Sequence, residues 1–161
     1  MTAFPPLAVA NAVLEEADRQ GKSLTIMQLL KLVYIAHGWS LALLREPLVN
    51  EEPEAWQHGP VFPAIYREFR RFGSQRISGF ATGPFGSIPH ADLSDPQRAV
   101  IKSVVNNYGD KHAFALSRMT HEVGTPWFVT YKDGKGASHD IPNEIIAEHY
   151  IKLAHERRAT S

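Results

Sequence analysis

The chain has 161 residues, 43% apolar and 21% charged, the balance of an ordinary globular domain rather than a disordered or fibrous one. It has no cysteine, which removes thiol nucleophiles, CxxC redox chemistry, iron–sulfur clusters and cysteine zinc sites, and suits a reducing compartment. Seventeen Lys and Arg balance seventeen Asp and Glu, so the protein as a whole carries no field that would gather nucleic acid or anionic lipid.

The length predicts a single domain over residues 1–161. Leu7, Ala10, Val13, Leu14 and Ala17 recur at three- and four-residue steps, which predicts a first helix from Pro5 or Pro6 to Gln20 with Gly21 at its exit. That stretch has no Lys or Arg ahead of its apolar residues and runs into Glu15, Glu16 and Asp18. This is the wrong charge order for a secretory signal, so a cytoplasmic protein is expected. Thr25 and Gln28 are spaced as a capping box, and Leu24 and Leu29 as a hydrophobic staple, at the start of a second helix that Pro47 ends. Its apolar residues from Ile26 to Leu43 cover most of the helix circumference, so neighbours must surround it. The run Leu24 to Leu44 is long enough to span a membrane, but it contains Gln28, Lys31 and His37. A central Lys costs about 2.5–3.5 kcal/mol on insertion scales, so a core helix is the expectation.

Leu48 to His58 reads as acidic and irregular, with Glu51, Glu52 and Glu54 and a short strand near Ala55–His58. Val61, Ile65, Phe69 and Phe72 predict a third helix ending at Gly73, with Pro63 in its first turn. Gly and Pro interrupt Ser74 to Asp92, which predicts a long loop with a short hairpin around Ile77–Ile88. Ser94 and Gln97 repeat the capping box ahead of a fourth helix that turns Val100, Ile101, Val104, Val105 and Tyr108 inward and stops before Gly109. A fifth helix is expected over Lys111–His121. Thr125 and Pro126 open a sixth that runs through Trp127, Phe128 and Tyr131 to Gly134. A seventh covers Pro142–Arg158, with Ile145, Ile146, Tyr150 and Leu153 on its buried side. The fold class is therefore mainly α: a compact bundle of six or seven helices around a central apolar helix, with at most a short β-hairpin.

No two of the eight histidines stand three or four residues apart, and His121-Glu122 does not extend into HExxH, so no metal is expected. His37 on the central helix reads as a hydrogen-bonded core histidine, and His149 and His155 as surface groups. The chain has no GxSxG or SxxK motif, no phosphate-binding GxxxxGK[ST] and no GxGxxG, so no cofactor is expected. Arg67, Arg70 and Arg71 are spaced to share one helix flank, with Tyr66 beside them and Arg76 close behind. Such a flank suits an acidic protein or a phosphate, and it is equally the pattern of a solvated helix face. Glu54-Ala55-Trp56-Gln57-His58-Gly59-Pro60-Val61 places Trp and His at a Gly-Pro break, a rigid turn that suits either a core lid or a binding hot spot.

The succession Leu24 to Tyr34, Gly38-Trp39, then Glu54 to Val61 leading to Tyr66 resembles the Panacea domain of the SocA-like antitoxin family, also described as phage-associated proteins. Leu116-Ser117, Thr120-His121-Glu122, Pro126-Trp127 and Ile141 to Ile146 extend the resemblance across roughly residues 5 to 155. The resemblance implies a mainly α antitoxin, not an enzyme, that binds and neutralises a cognate protein toxin. It further implies a proteolytic adaptor that would deliver the toxin to the ClpXP protease through ClpX. No nucleic-acid or membrane partner is expected. On this reading the partner-binding residues are Trp56, His58, Tyr66, Arg67, Arg70 and Arg71. The alternative is a small hydrolase or transferase using His58 or His121 as base with Glu54 or Glu122 nearby.

Overall fold

A computed structural model describes residues 2–160. Seven α-helices are described: α1 (Pro6–Arg19), α2 (Ile26–Leu43), α3 (Pro63–Phe69), α4 (Asp95–Tyr108), α5 (Ala113–His121), α6 (Pro126–Tyr131) and α7 (Asn143–Thr160). Two three-residue strands, β1 (Glu54–Trp56) and β2 (Gly59–Val61), form an antiparallel hairpin that pairs Trp56 with Gly59 across a two-residue turn. The class is mainly α, as the periodicities predict.

The two capping boxes form as the sequence predicts. Thr25 accepts from the Gln28 amide while Gln28 reaches back to the Thr25 amide, and Ser94 and Gln97 do the same for α4. α2 ends at Leu43, ahead of Pro47. Its last turn closes when the Leu44 amide bonds to the Ser40 carbonyl and Arg45 takes a left-handed conformation.

α2 is the one helix among the described residues long and apolar enough to cross a membrane, and almost all of it is buried inside the protein. It packs most extensively on α7 and α4 and also touches α1, α3, α5 and β2. Gly38 makes the α2–α7 approach possible: a Cβ at this position would lie 2.3 Å from Cε2 of the buried Tyr150. The Tyr150 ring meets Trp39 edge-on at 5.1 Å and Tyr34 at 6.3 Å, and Arg157 of α7 lies over Trp39 at 5.0 Å.

His37 is a hydrogen-bonded core histidine, as expected. Nδ1 accepts from the Val49 amide at 3.2 Å, so Nε2 carries the proton and donates to Asn143 Oδ1 at 2.8 Å. Asn143 opens α7, and its amide donates to the Glu52 carboxylate at 2.6 Å. Part of the acidic stretch before β1 thus serves as the N-terminal anchor of the last helix.

The hairpin expected at Ile77–Ile88 is absent from the described residues; a single 3₁₀ turn at Pro84–Gly86 stands there instead. The reason lies on α1. The buried Asn11 side chain donates to the carbonyls of Ala81 and Pro89 and accepts from the Ala81 amide, which takes up backbone groups a hairpin would have paired with each other. The start of this loop is tied to the other side of the molecule, where the Ile77 amide bonds to the Leu24 carbonyl. The third helix is also shorter than expected. α3 stops at Phe69, a 3₁₀ turn carries Arg70–Phe72, and Val61 belongs to β2.

Gly38→Ala should force Tyr150 aside and cost about 1–3 kcal/mol, read as a lowered thermal midpoint without loss of helical signal. Burial lowers the pKa of His37 to about 4, against the weaker opposing pull of its Asn143 bond. The unfolded chain takes up this proton near pH 6.5 and the folded chain only near pH 4, so stability present above 6.5 is lost as the pH falls through that window. The loss is on the order of 3 kcal/mol, measurable by urea unfolding between pH 4 and 7, and His37→Gln should flatten that part of the curve.

Candidate functional site

The β1–β2 hairpin is held along one edge and at its turn. Along its outer edge, the Ala55 amide bonds to the His139 carbonyl, the Ala55 carbonyl accepts from the Ser138 amide, and the Ile141 amide reaches Pro53. The turn is gripped from beneath by three helices. Lys31 Nζ on α2 donates to the His58 carbonyl at 2.9 Å, and Ser117 Oγ on α5 donates to the same oxygen at 3.3 Å. The Trp127 indole on α6 donates to the Trp56 carbonyl at 2.6 Å. Lys31 is fully buried (0% exposed), and burial lowers its pKa to about 8. It therefore remains an ammonium at neutral pH, with a backbone carbonyl as its hydrogen-bond acceptor.

Gly59 makes this packing possible. Its φ of +124° lies in a region disfavoured for other residues, and a Cβ there would sit 2.6 Å from Lys31 Nζ and 3.2 Å from His121 Nε2. His121 is half-buried. Its Nδ1 lies 3.1 Å from Ser117 Oγ, its Nε2 is buried without a partner, and its ring packs against Trp127 at 4.3 Å. Burial lowers its pKa, helped by the nearby charges of Lys31 and His58, so it resists protonation.

Two aromatic pairs flank these contacts. Trp56 and Tyr66 meet edge-on at 5.3 Å, and Trp127 stacks on Tyr131 at 4.7 Å. All four rings are partly exposed. The Trp56 indole is oriented by Glu54 Oε1 at 2.9 Å. Phe128 and Val129 follow Trp127 on α6 and are exposed. Of the seven large apolar side chains exposed among the described residues, four (Phe114, Val123, Phe128 and Val129) belong to α5, α6 or the connection between them.

The sequence-predicted residues divide. Trp56 and Tyr66 touch, and His58 sits exposed at the tip of the turn. The three arginines are all exposed, Arg67 on α3 and Arg70 and Arg71 on the 3₁₀ turn that continues it. Arg71 folds back onto the Glu68 carbonyl and carboxylate and lies over the Phe72 ring at 4.8 Å, and the Arg67 charge partly offsets the upward push of burial on the Glu51 pKa. Neither His58 nor His121 is hydrogen-bonded to Glu54 or Glu122 among the described residues. Glu54 is engaged by Trp56, and Glu122 is exposed. The described residues contain no group of three or more His, Asp or Glu side chains placed to hold a metal ion. Sequence reading missed Lys31, Ser117 and Trp127 as the holders of the turn. The one available signal was a lysine in an otherwise apolar helical run.

A mainly helical scaffold thus displays a rigid turn with partly exposed aromatic rings on either side of it. Residues 29–128 match the SocA-like antitoxin family through its Panacea domain, a span from α2 to α6, and the chain belongs to that family. It is similar to Antitoxin SocA of Caulobacter vibrioides (strain NA1000 / CB15N), with 35% identity over 127 residues, covering 76% of this chain and 68% of the relative. No solved structure matches.

Gly59→Ala should strain the backbone and press on Lys31 Nζ, costing about 1–3 kcal/mol. The expected result is a lower melting temperature with faster amide exchange concentrated at the hairpin.

Proposed function

We propose that this protein neutralises a cognate protein toxin by binding it directly through the face built from the hairpin, α3 and α6. The observation that carries the reading is the set of partly exposed rings of Trp56, Tyr66, Trp127 and Tyr131, with exposed Arg70 and Arg71 on the turn that follows α3. Trp, Tyr and Arg dominate the energetics of protein interfaces, because each combines a large contact area with a polar group that needs a partner. Membership of the antitoxin family supports this reading.

On this reading the protein acts in the cytoplasm as a binding module rather than an enzyme. Binding covers the toxin, and a second step hands the covered toxin to ClpXP, with this chain as the adaptor. Support for the adaptor step comes from the family resemblance.

The test is co-expression of the tagged protein with its neighbouring genes. A polypeptide that copurifies stoichiometrically and is toxic when expressed alone is the expected result, and harmless neighbours with nothing copurifying would overturn the reading. Arg70→Glu combined with Arg71→Glu should weaken the complex about 10- to 100-fold while leaving the melting temperature near that of wild type. For the adaptor step, the toxin's half-life in cells should shorten when this protein is present and recover when ClpX is removed.

A further inference from the structure

We propose that the Gln57–His58 turn is the contact tip of the toxin-binding face, and that Lys31 is its positioning residue, fixing the tip from inside the molecule before a partner arrives. This rests on the antitoxin reading above.

The turn is more heavily constrained than its fold requires. Two residues connect two three-residue strands, yet donors from three helices converge on its backbone: Lys31 and Ser117 on the His58 carbonyl, and Trp127 on the Trp56 carbonyl. One of these donors is a buried ammonium. A buried charge held by a carbonyl is a poor way to stabilise a core, because an apolar side chain of similar volume fills the same space without desolvation. A charged hydrogen bond does favour one conformation of the oxygen it holds. Gly59 points the same way, since its positive φ brings the backbone close enough for Lys31 and His121 to lie directly against it.

While the carbonyls face inward, the side chains face outward. Gln57 and His58 are both exposed, and neither side chain is hydrogen-bonded to any described residue. The tip thus presents an amide and an imidazole, both able to donate and accept hydrogen bonds, beside the Trp56–Tyr66 pair. The partner that fits is a protein surface with a polar recess flanked by an apolar ledge. A turn already ordered in the free protein meets such a surface without an ordering cost on binding.

The experiment is a double-mutant cycle on the toxin captured by the wild-type protein, comparing wild type, Lys31→Met, the tip variant Gln57→Ala with His58→Ala, and the combination. Amide exchange at residues 57–59 is followed in parallel. Lys31→Met should fold, exchange faster at the turn but not along α2, and bind about tenfold more weakly. In the tip variant, adding Lys31→Met should cost nothing further, because its effect runs through side chains already removed. An unchanged affinity for Lys31→Met, or the same loss with and without the tip side chains, would overturn the proposal. If Lys31→Met does not fold, Ser117→Ala removes the second donor to the same carbonyl, and the same cycle applies with a smaller expected loss of about threefold. The wild-type measurement separates the two possible failures: no toxin bound counts against the antitoxin reading, whereas binding that ignores Lys31 and Ser117 counts against the tip.

Discussion

The rest of the structure is arranged around three polar side chains buried in α2. Lys31, His37 and Ser40 are each 0% exposed on a helix that is otherwise apolar nearly all round. A buried polar group without a partner costs several kcal/mol, so each of the three constrains a neighbouring segment. Ser40 bonds to the Glu46 carbonyl and folds the chain back after the helix. His37 holds the Val49 amide on one side and the start of α7 on the other. Lys31 holds the turn of the hairpin. The hub thus does more than fill the core: its polar groups set where the loop, the last helix and the hairpin can lie.

The candidate binding face follows from the same arrangement. A two-stranded hairpin on its own is marginal in water. Here the hairpin is supported along its edge by residues 138–141 and from below by α2, α5 and α6. The aromatic rings are positioned by polar contacts, with Glu54 orienting the Trp56 indole and the Trp56 carbonyl receiving the Trp127 indole. Both indoles satisfy their N–H groups within the protein, which leaves their ring surfaces as the available contact.

What could be read from the sequence was local. Thr25 with Gln28 and Ser94 with Gln97 marked the helix starts because a capping box depends only on residues three apart. The proline at the start of α6 and the core role of His37 were readable for the same kind of reason. The misplaced hairpin at Ile77–Ile88 turned on Asn11, a residue seventy positions away whose side chain replaces the strand pairing. The third helix was read through to Phe72, and the change to a 3₁₀ turn after Phe69 depends on packing that its period does not record. Trp56 and Tyr66 were visible as candidates, but the grip on the turn was not. It joins positions 31, 58, 117 and 127, and only the folded chain brings them together.

The α2–α7 contact also matters for how the chain is made. α2 is apolar enough to pass for a membrane span, and its most extensive packing partner is the last helix. During synthesis α2 emerges about a hundred residues before α7 begins, a delay of roughly 5–20 s at usual elongation rates. Throughout that interval the most hydrophobic segment of the protein lacks its main cover on the α7 side, so the core cannot close until residues 143–160 have been made.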